Sequence, residues 1–299
     1  LADSIRSEAE ALTEQDLDLK VVESEVSIPR EQFEEFVSWF VGDDDLDSAL
    51  RRFGSHVPTG DPDENRTFVQ ELMAEHPLQF LVSHVHIGPN NSVLRSSDGL
   101  YDGAEQALVN HEARRASMFS LFAIEILSQI EAKYGPLANG TGGFATEIVE
   151  PSVAQRIGRA LALYSEGDYD SCASVLAPRL ERIVRRIAAG TGLTTTKSPD
   201  RHGRAGGVKG LGELLALLDG PMPEPSRRYL KVLLSEVTGL NLRNRIGHGL
   251  DDEVAQREAA LLIHCACHLR LLRPAPGGSG GGDRPISPGQ SPSELASEP

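Results

Sequence analysis

The sequence predicts a mainly all-α protein, on three observations. Apolar residues recur three and four apart in run after run from residue 28 onward, the spacing that places them on one face of a helix. Short Gly- and Pro-containing breaks separate these runs, which suits antiparallel helical neighbours. A short stretch near residues 79–95 alternates as a strand does. Together they predict an antiparallel helical bundle over residues 151–273, behind a mostly helical N-terminal domain over residues 1–143 that holds a small β-hairpin at 80–95.

Charge divides the chain in the same place. Residues 1–150 carry 10 Lys/Arg against 28 Asp/Glu, a net −18, and residues 151–275 carry 18 against 13, a net +5. An acidic first half beside a basic second half predicts two units with different partners. The acidic half suits a basic protein partner. The overall charge of −15 disfavours indiscriminate nucleic-acid binding, while a basic patch still acts locally through a screened field. Three cysteines, Cys172, Cys265 and Cys267, make no disulfide framework, and the acidic first ten residues lack a basic-then-apolar signal pattern. Both point to the cytoplasm. The longest apolar stretches, 118–130 and 259–272, are broken by Glu125, His264, His268 and Arg270, so no membrane span is expected.

Taken in order, Ser27-Ile28-Pro29-Arg30-Glu31 offers a helix start, followed by Phe33, Phe36, Val37 and Phe40 at helical spacing. Asp43-Asp44-Asp45 reads as a solvated helix boundary, since three consecutive carboxylates point in different directions and no calcium-loop spacing follows. Thr59-Gly60-Asp61-Pro62 is a turn, and residues 63–75 are a short helix. His84 and His86 would share one strand face, but two ligands without a third read as a polar face. Residues 104–134 form a long helix, and the Gly-rich residues 136–143 form a loop and the internal boundary.

Helices follow over residues 152–165 and 169–189. Pro178 should kink the second, whose far side presents Arg179, Arg182, Arg185 and Arg186. Residues 190–212 form a loop that carries Arg201, Arg204 and Lys209. With the arginines of the preceding helix, these are the residues suited to track a phosphate backbone: Arg179, Arg182, Arg186, Arg204 and Lys209. Helices over 211–218 and 226–237 lead to the densest polar stretch, and residues 253–272 form a final apolar helix. In that helix His264 and His268 stand four apart, a chelating spacing, but their apolar neighbours argue for core packing. Residues 274–299, rich in Gly, Pro and Ser, are expected to be a disordered tail.

The dense stretch is Leu240-Asn241-Leu242-Arg243-Asn244-Arg245-Ile246-Gly247-His248-Gly249-Leu250. Leu242 and Ile246 share one helix face. At about 100° per residue, Asn244 and His248 fall within roughly 40° of each other. Arg243 and His248 are about 140° apart, and meet only if the long arginine wraps or the helix ends between them. Gly247 and Gly249 predict that the helix does end here.

Arg243-Asn244-x-x-x-His248 resembles the Arg-polar-x-x-x-His motif of the HEPN superfamily, named for higher eukaryotes and prokaryotes nucleotide-binding. The wider phrase Asn-Leu-Arg-Asn-Arg-Ile-Gly-His-Gly-Leu is similar to the signature of a poorly characterised bacterial HEPN-containing group. Leu176-x-Pro178-x-x-Glu181-x-x-x-Arg185 is similar to the preceding helix of that group, so the resemblance covers residues 151–273 best. It implies a HEPN-like bundle and a homodimer whose paired motifs face one cleft. It also implies metal- and cofactor-independent cleavage of RNA to 2′,3′-cyclic phosphate and 5′-hydroxyl ends, by analogy in stress response or phage defence.

The residue types fit that chemistry. Histidine titrates near neutrality and can move protons at the 2′-hydroxyl or the leaving oxygen. Arginine is a permanent forked donor for phosphate oxygens. The expected roles are His248 as acid/base, Arg243 as transition-state stabiliser and Asn244 as orienter, with Arg245 contacting backbone phosphate. Two other functions fit the same residues: a non-catalytic RNA- or nucleotide-binding module, and a protein-interaction scaffold.

Overall fold

The structure, a computed structural model, describes residues 28–82, 84–87, 93–97, 99–198 and 206–273. Arg201, Arg204 and the expected tail lie outside the described residues. The fold is mostly helical, as expected. Its α-helices are α1 (Arg30–Val41), α2 (Leu46–Ser55), α3 (Pro62–Glu75), α4 (Gly99–Tyr134), α5 (Pro151–Ser165), α6 (Tyr169–Gly190), α7 (Leu211–Leu217), α8 (Glu224–Leu234), α9 (Leu242–His248) and α10 (Gln256–Leu269). Strands β1 (His84–Ile87) and β2 (Val93–Ser97) pair antiparallel, with His84 opposite Ser97 and His86 opposite Arg95.

Helix α10 is the centre of the packing. It is buried from Ala259 to Leu269, as an all-round apolar helix must be, and it packs on α2, α4, α5 and α6. Gly54 of α2 permits the closest approach: a Cβ there would stand 2.4 Å from the carbonyl oxygen of Cys267. His264 and His268 are core residues. His264 Nδ1 lies 2.7 Å from the Tyr229 hydroxyl in a buried hydrogen bond, and its ring meets Phe53 and Phe119 edge-on at 4.8 and 5.0 Å. His268 Nδ1 donates to the Gly54 carbonyl at 2.8 Å. Burial pushes the Cys267 thiol up to about 12, so it stays protonated and packs as a small apolar group.

The core crosses residues 143–151 without a break. One apolar cluster runs from Val37, Phe40 and Phe53 through Phe119 and Ile130 to Leu161, Leu180, Tyr229 and Leu262. The segment expected as a loop at 136–143 is instead a 3-10 helix, Leu137–Phe144, with Leu137, Gly140 and Phe144 buried. It lies against α2 and α5, so its apolar ends hold the two halves together. Arg270 adds a polar tie: it donates to Asp47 Oδ1 at 2.8 Å and to the Asp47 carbonyl at 3.0 Å, with its guanidinium 4.5 Å from the centre of the Phe144 ring. A second tie joins α8 to α4. Arg228 meets Glu112 through two bonds of 2.6 and 2.9 Å, with both side chains almost fully buried.

The acidic run behaves as the boundary it was expected to be. Asp45 caps α2 by accepting from the Ser48 amide at 2.7 Å, Asp43 pairs with Lys133 at 2.6 Å and Asp44 pairs with Arg52 at 2.5 Å. Helix α6 continues through Pro178. Ser174, whose carbonyl loses its amide partner there, is exposed. No described helix is long and apolar enough to cross a membrane.

Candidate nucleic-acid site

Helix α9 carries the polar motif, and both of its ends are specialised. Asn241 opens it in the left-handed region, at φ 51° and ψ 29°. Among non-glycine residues, asparagine tolerates that region best, because its short amide can bond locally. Here Asn241 Oδ1 accepts from Asn244 Nδ2 at 2.7 Å, and the Asn241 carbonyl accepts from the Asn244 and Arg245 amides. At the other end Gly249 is left-handed, at φ 62°. The Gly249 amide bonds the Ile246 carbonyl and the Leu250 amide bonds the Arg245 carbonyl, the paired closure of a Schellman motif. The helix therefore stops at His248, where the two glycines predicted it would. Leu242 is buried and Ile246 packs on the same core, so the motif's polar residues are turned outward or sideways.

Arg243 is anchored. Its Nε and Nη2 both lie 2.8 Å from Glu181 Oε2 on α6, and its Nη1 donates to Asn244 Oδ1 at 3.1 Å. The second oxygen of Glu181 accepts from Arg185 at 2.8 Å. Arg185 in turn donates to the carbonyls of Thr195 and Lys209, fixing the loop after α6. One carboxylate thus serves two guanidinium groups, and this trio keeps one net positive charge. The Arg243 guanidinium also runs along the helix, with Nη1 3.9 Å from where a Cβ on Gly247 would stand. The long arginine therefore reaches the turn that carries His248. His248 itself is exposed, and no described residue pairs with it.

Asn244 Nδ2 donates to Asn241 and its Oδ1 accepts from Arg243, so among the described residues the group that it orients is the arginine. Arg245 is turned away from the site. It bonds Asp251 through Nε and Nη2 at 3.0 and 2.8 Å and lies 3.2 Å from Glu258, so these carboxylates offset its charge. Beside it a cavity of about 320 Å³ opens between α4, α9 and α10, lined by Ser117, Ser120, Leu242, Arg245 and Arg257.

The expected phosphate-tracking surface is only partly assembled. Arg182 and Arg186 both pair with Glu150, which leaves that face less basic than its sequence suggests. Arg185 lies inward rather than on the far side. Lys209 donates to the Thr194 carbonyl at 2.8 Å. Arg179 is half-buried and has no charged partner among the described residues. Glu181 is the partner of the motif's arginine, and residue spacing gave it no such role. Its signal was its place on α6, four residues before Arg185 and at the edge of the apolar stripe formed by Ala177, Leu180 and Val184, where a carboxylate needs a cation from a neighbouring element.

Among the described residues no group of three or more His, Cys, Asp or Glu is placed to hold a metal ion. No family model, no curated protein and no solved structure matches this chain.

Proposed function

We propose that the protein is a HEPN-type endoribonuclease that cleaves RNA without a metal ion, leaving 2′,3′-cyclic phosphate ends. The observation that carries this reading is the end of α9. His248, exposed and without a partner among the described residues, follows Gly247, toward which runs an arginine that a carboxylate and an asparagine hold in one place. His248 supplies the proton chemistry at the 2′-hydroxyl or the leaving oxygen. Arg243 meets the charge that develops on phosphorus, and its anchoring means that little reorganisation is needed as that charge appears. Asn244 acts through Arg243 and is a positioning residue. A second copy of the chain would bring a second motif to the same RNA, and the cytoplasm is the compartment where such a substrate is met.

The experiment is RNA cleavage by the purified chain in excess EDTA, with His248→Ala and Arg243→Ala alongside and oligomeric state matched. Cleavage by the wild type alone, with cyclic phosphate ends, supports the reading. An intact and varied RNA pool with every protein removes it.

One observation favours a second reading. The forked edge of Arg243 that would grip a phosphate is the edge that Glu181 occupies. A motif built that way also suits a non-catalytic RNA- or nucleotide-binding module, in which the ion pair serves to dock α9 on α6. Salt-sensitive RNA binding without cleavage is the outcome that selects it.

A further inference from the structure

A cavity of about 500 Å³ lies between α3, the 3-10 turn Pro77–Leu81 and the first half of α4, and no residue of the α9 motif lines it. Its size is that of small-ligand pockets. Four kinds of group meet there. Phe68 and His111 stack with ring centroids 4.3 Å apart and planes 27° off parallel, and Phe68 is nonetheless 46% exposed. Leu72 and Phe80 supply an apolar wall. Arg114 stands exposed at the edge.

The fourth group is an amide pair. Gln106 is 5% exposed, and its Nε2 donates to Asn110 Oδ1 at 3.1 Å. That bond leaves the Gln106 carbonyl oxygen buried without a partner among the described residues. It also leaves the Asn110 amide nitrogen as a donor beside it. An unpartnered buried carbonyl oxygen is costly unless something else satisfies it.

We infer that this cavity binds an adenine mononucleotide, its ring against the Phe68–His111 stack, its edge on Gln106 and Asn110 and its phosphate on Arg114. An acceptor and a donor side by side match the exocyclic amine and the adjoining ring nitrogen of adenine. An aromatic pair with one exposed face is a platform for a flat heterocycle. Burial, with the charges of Arg115 and Arg114, lowers the His111 pKa, so the platform carries a neutral imidazole. The forked arginine supplies the anion contact. The site is separate from α9 and stands or falls independently of RNA cleavage.

The test is calorimetric titration of the full chain with adenosine 5′-monophosphate and with adenosine. Saturable one-site binding of the nucleotide is expected, with adenosine about tenfold weaker for want of the charge-assisted contact. Arg114→Ala should bring the nucleotide down to the level of adenosine, and Phe68→Ala should weaken both. Both side chains are exposed, so these variants keep the fold, and circular dichroism checks that they do. No saturable heat at millimolar nucleotide overturns the inference. So does binding that Arg114→Ala and Phe68→Ala leave unchanged.

Discussion

Arg243 on α9 and Glu181 on α6 form a two-pronged ion pair, both prongs 2.8 Å long and both ending on the same carboxylate oxygen. The carboxylate is 15% exposed and the guanidinium 31%, so the pair sits between a surface bridge and a buried one. The other oxygen of Glu181 holds Arg185. Removing this one carboxylate therefore strands two cations at the junction of α6, α9 and the loop after α6. Glu181→Gln should lower stability by about 1–3 kcal/mol, and a double-mutant cycle with Arg243→Ala should show coupling of about 1 kcal/mol or more. Urea unfolding monitored by circular dichroism measures both. Additive effects would mean that the pair contributes nothing.

The tie between α8 and α4 is more deeply buried and should behave more severely. Arg228 reaches both oxygens of Glu112, whose side chain is fully buried. Glu112→Ala leaves the buried guanidinium with only the longer bridge to half-exposed Glu105, at 3.3 Å, at a cost of about 3 kcal/mol. Replacing both together, Arg228→Met with Glu112→Leu, should recover most of that loss, because an apolar pair of similar volume carries no desolvation penalty. The unfolding midpoints of the two variants test this. A double variant no better than the single one would show that the ion pair itself, and not its burial, holds α8 in place.

Stability should fall on mild acidification. Burial, with Arg115 and His268 nearby, holds His56 at about 4. Burial also lowers His264, strongly, and His268. All three are neutral in the fold, whereas in the unfolded chain they take up protons below about pH 6.5. The unfolded state then binds more protons, so stability is fully present above pH 6.5 and declines as pH falls. The His56 part is lost by about pH 4 and amounts to about 3 kcal/mol. Urea midpoints between pH 7.5 and 5 should drop, and His56→Phe, among Phe36, Phe40 and Phe119, should flatten that drop. A midpoint independent of pH across this window would contradict the buried neutral rings.

What could be read from residue spacing was the part governed by local rules. Leu242 and Ile246 four apart gave the buried face of α9, and Gly249 gave its end, because helical period and left-handed caps are properties of a few neighbouring residues. The partner of Arg243 was not legible in this way. Glu181 lies 62 residues earlier, and a charge pattern on one helix does not say which neighbour it will meet. The same limit explains Arg182 and Arg186: a basic face was read from α6 alone, and Glu150, at the start of α5, takes both. The loop expected at 136–143 gives way to the 3-10 helix Leu137–Phe144 for a different reason. Glycines signal a loop, but a 3-10 helix repeats every three residues and tolerates them, and the buried Leu137 and Phe144 show that this segment belongs to the core.

His248 separates function from stability more cleanly than any other residue. It is exposed, it ends α9, and no described residue depends on it for a hydrogen bond. His248→Ala should therefore leave the urea midpoint within about 0.5 kcal/mol of the wild type. Under the proposed chemistry the same change removes the proton-transfer group and should slow RNA cleavage by about 10²–10⁴-fold. Arg243→Lys is the companion. A lysine can keep a charge near Glu181 but cannot bond Glu181 and Asn244 at once as the guanidinium does, so it loses the fixed position and cleavage should fall at least tenfold, beyond what any loss of stability explains. Cleavage rates under single-turnover conditions, measured beside unfolding midpoints for the same preparations, resolve the two effects. A His248→Ala protein that is equally stable and cleaves RNA at the wild-type rate would remove the α9 motif from the chemistry altogether.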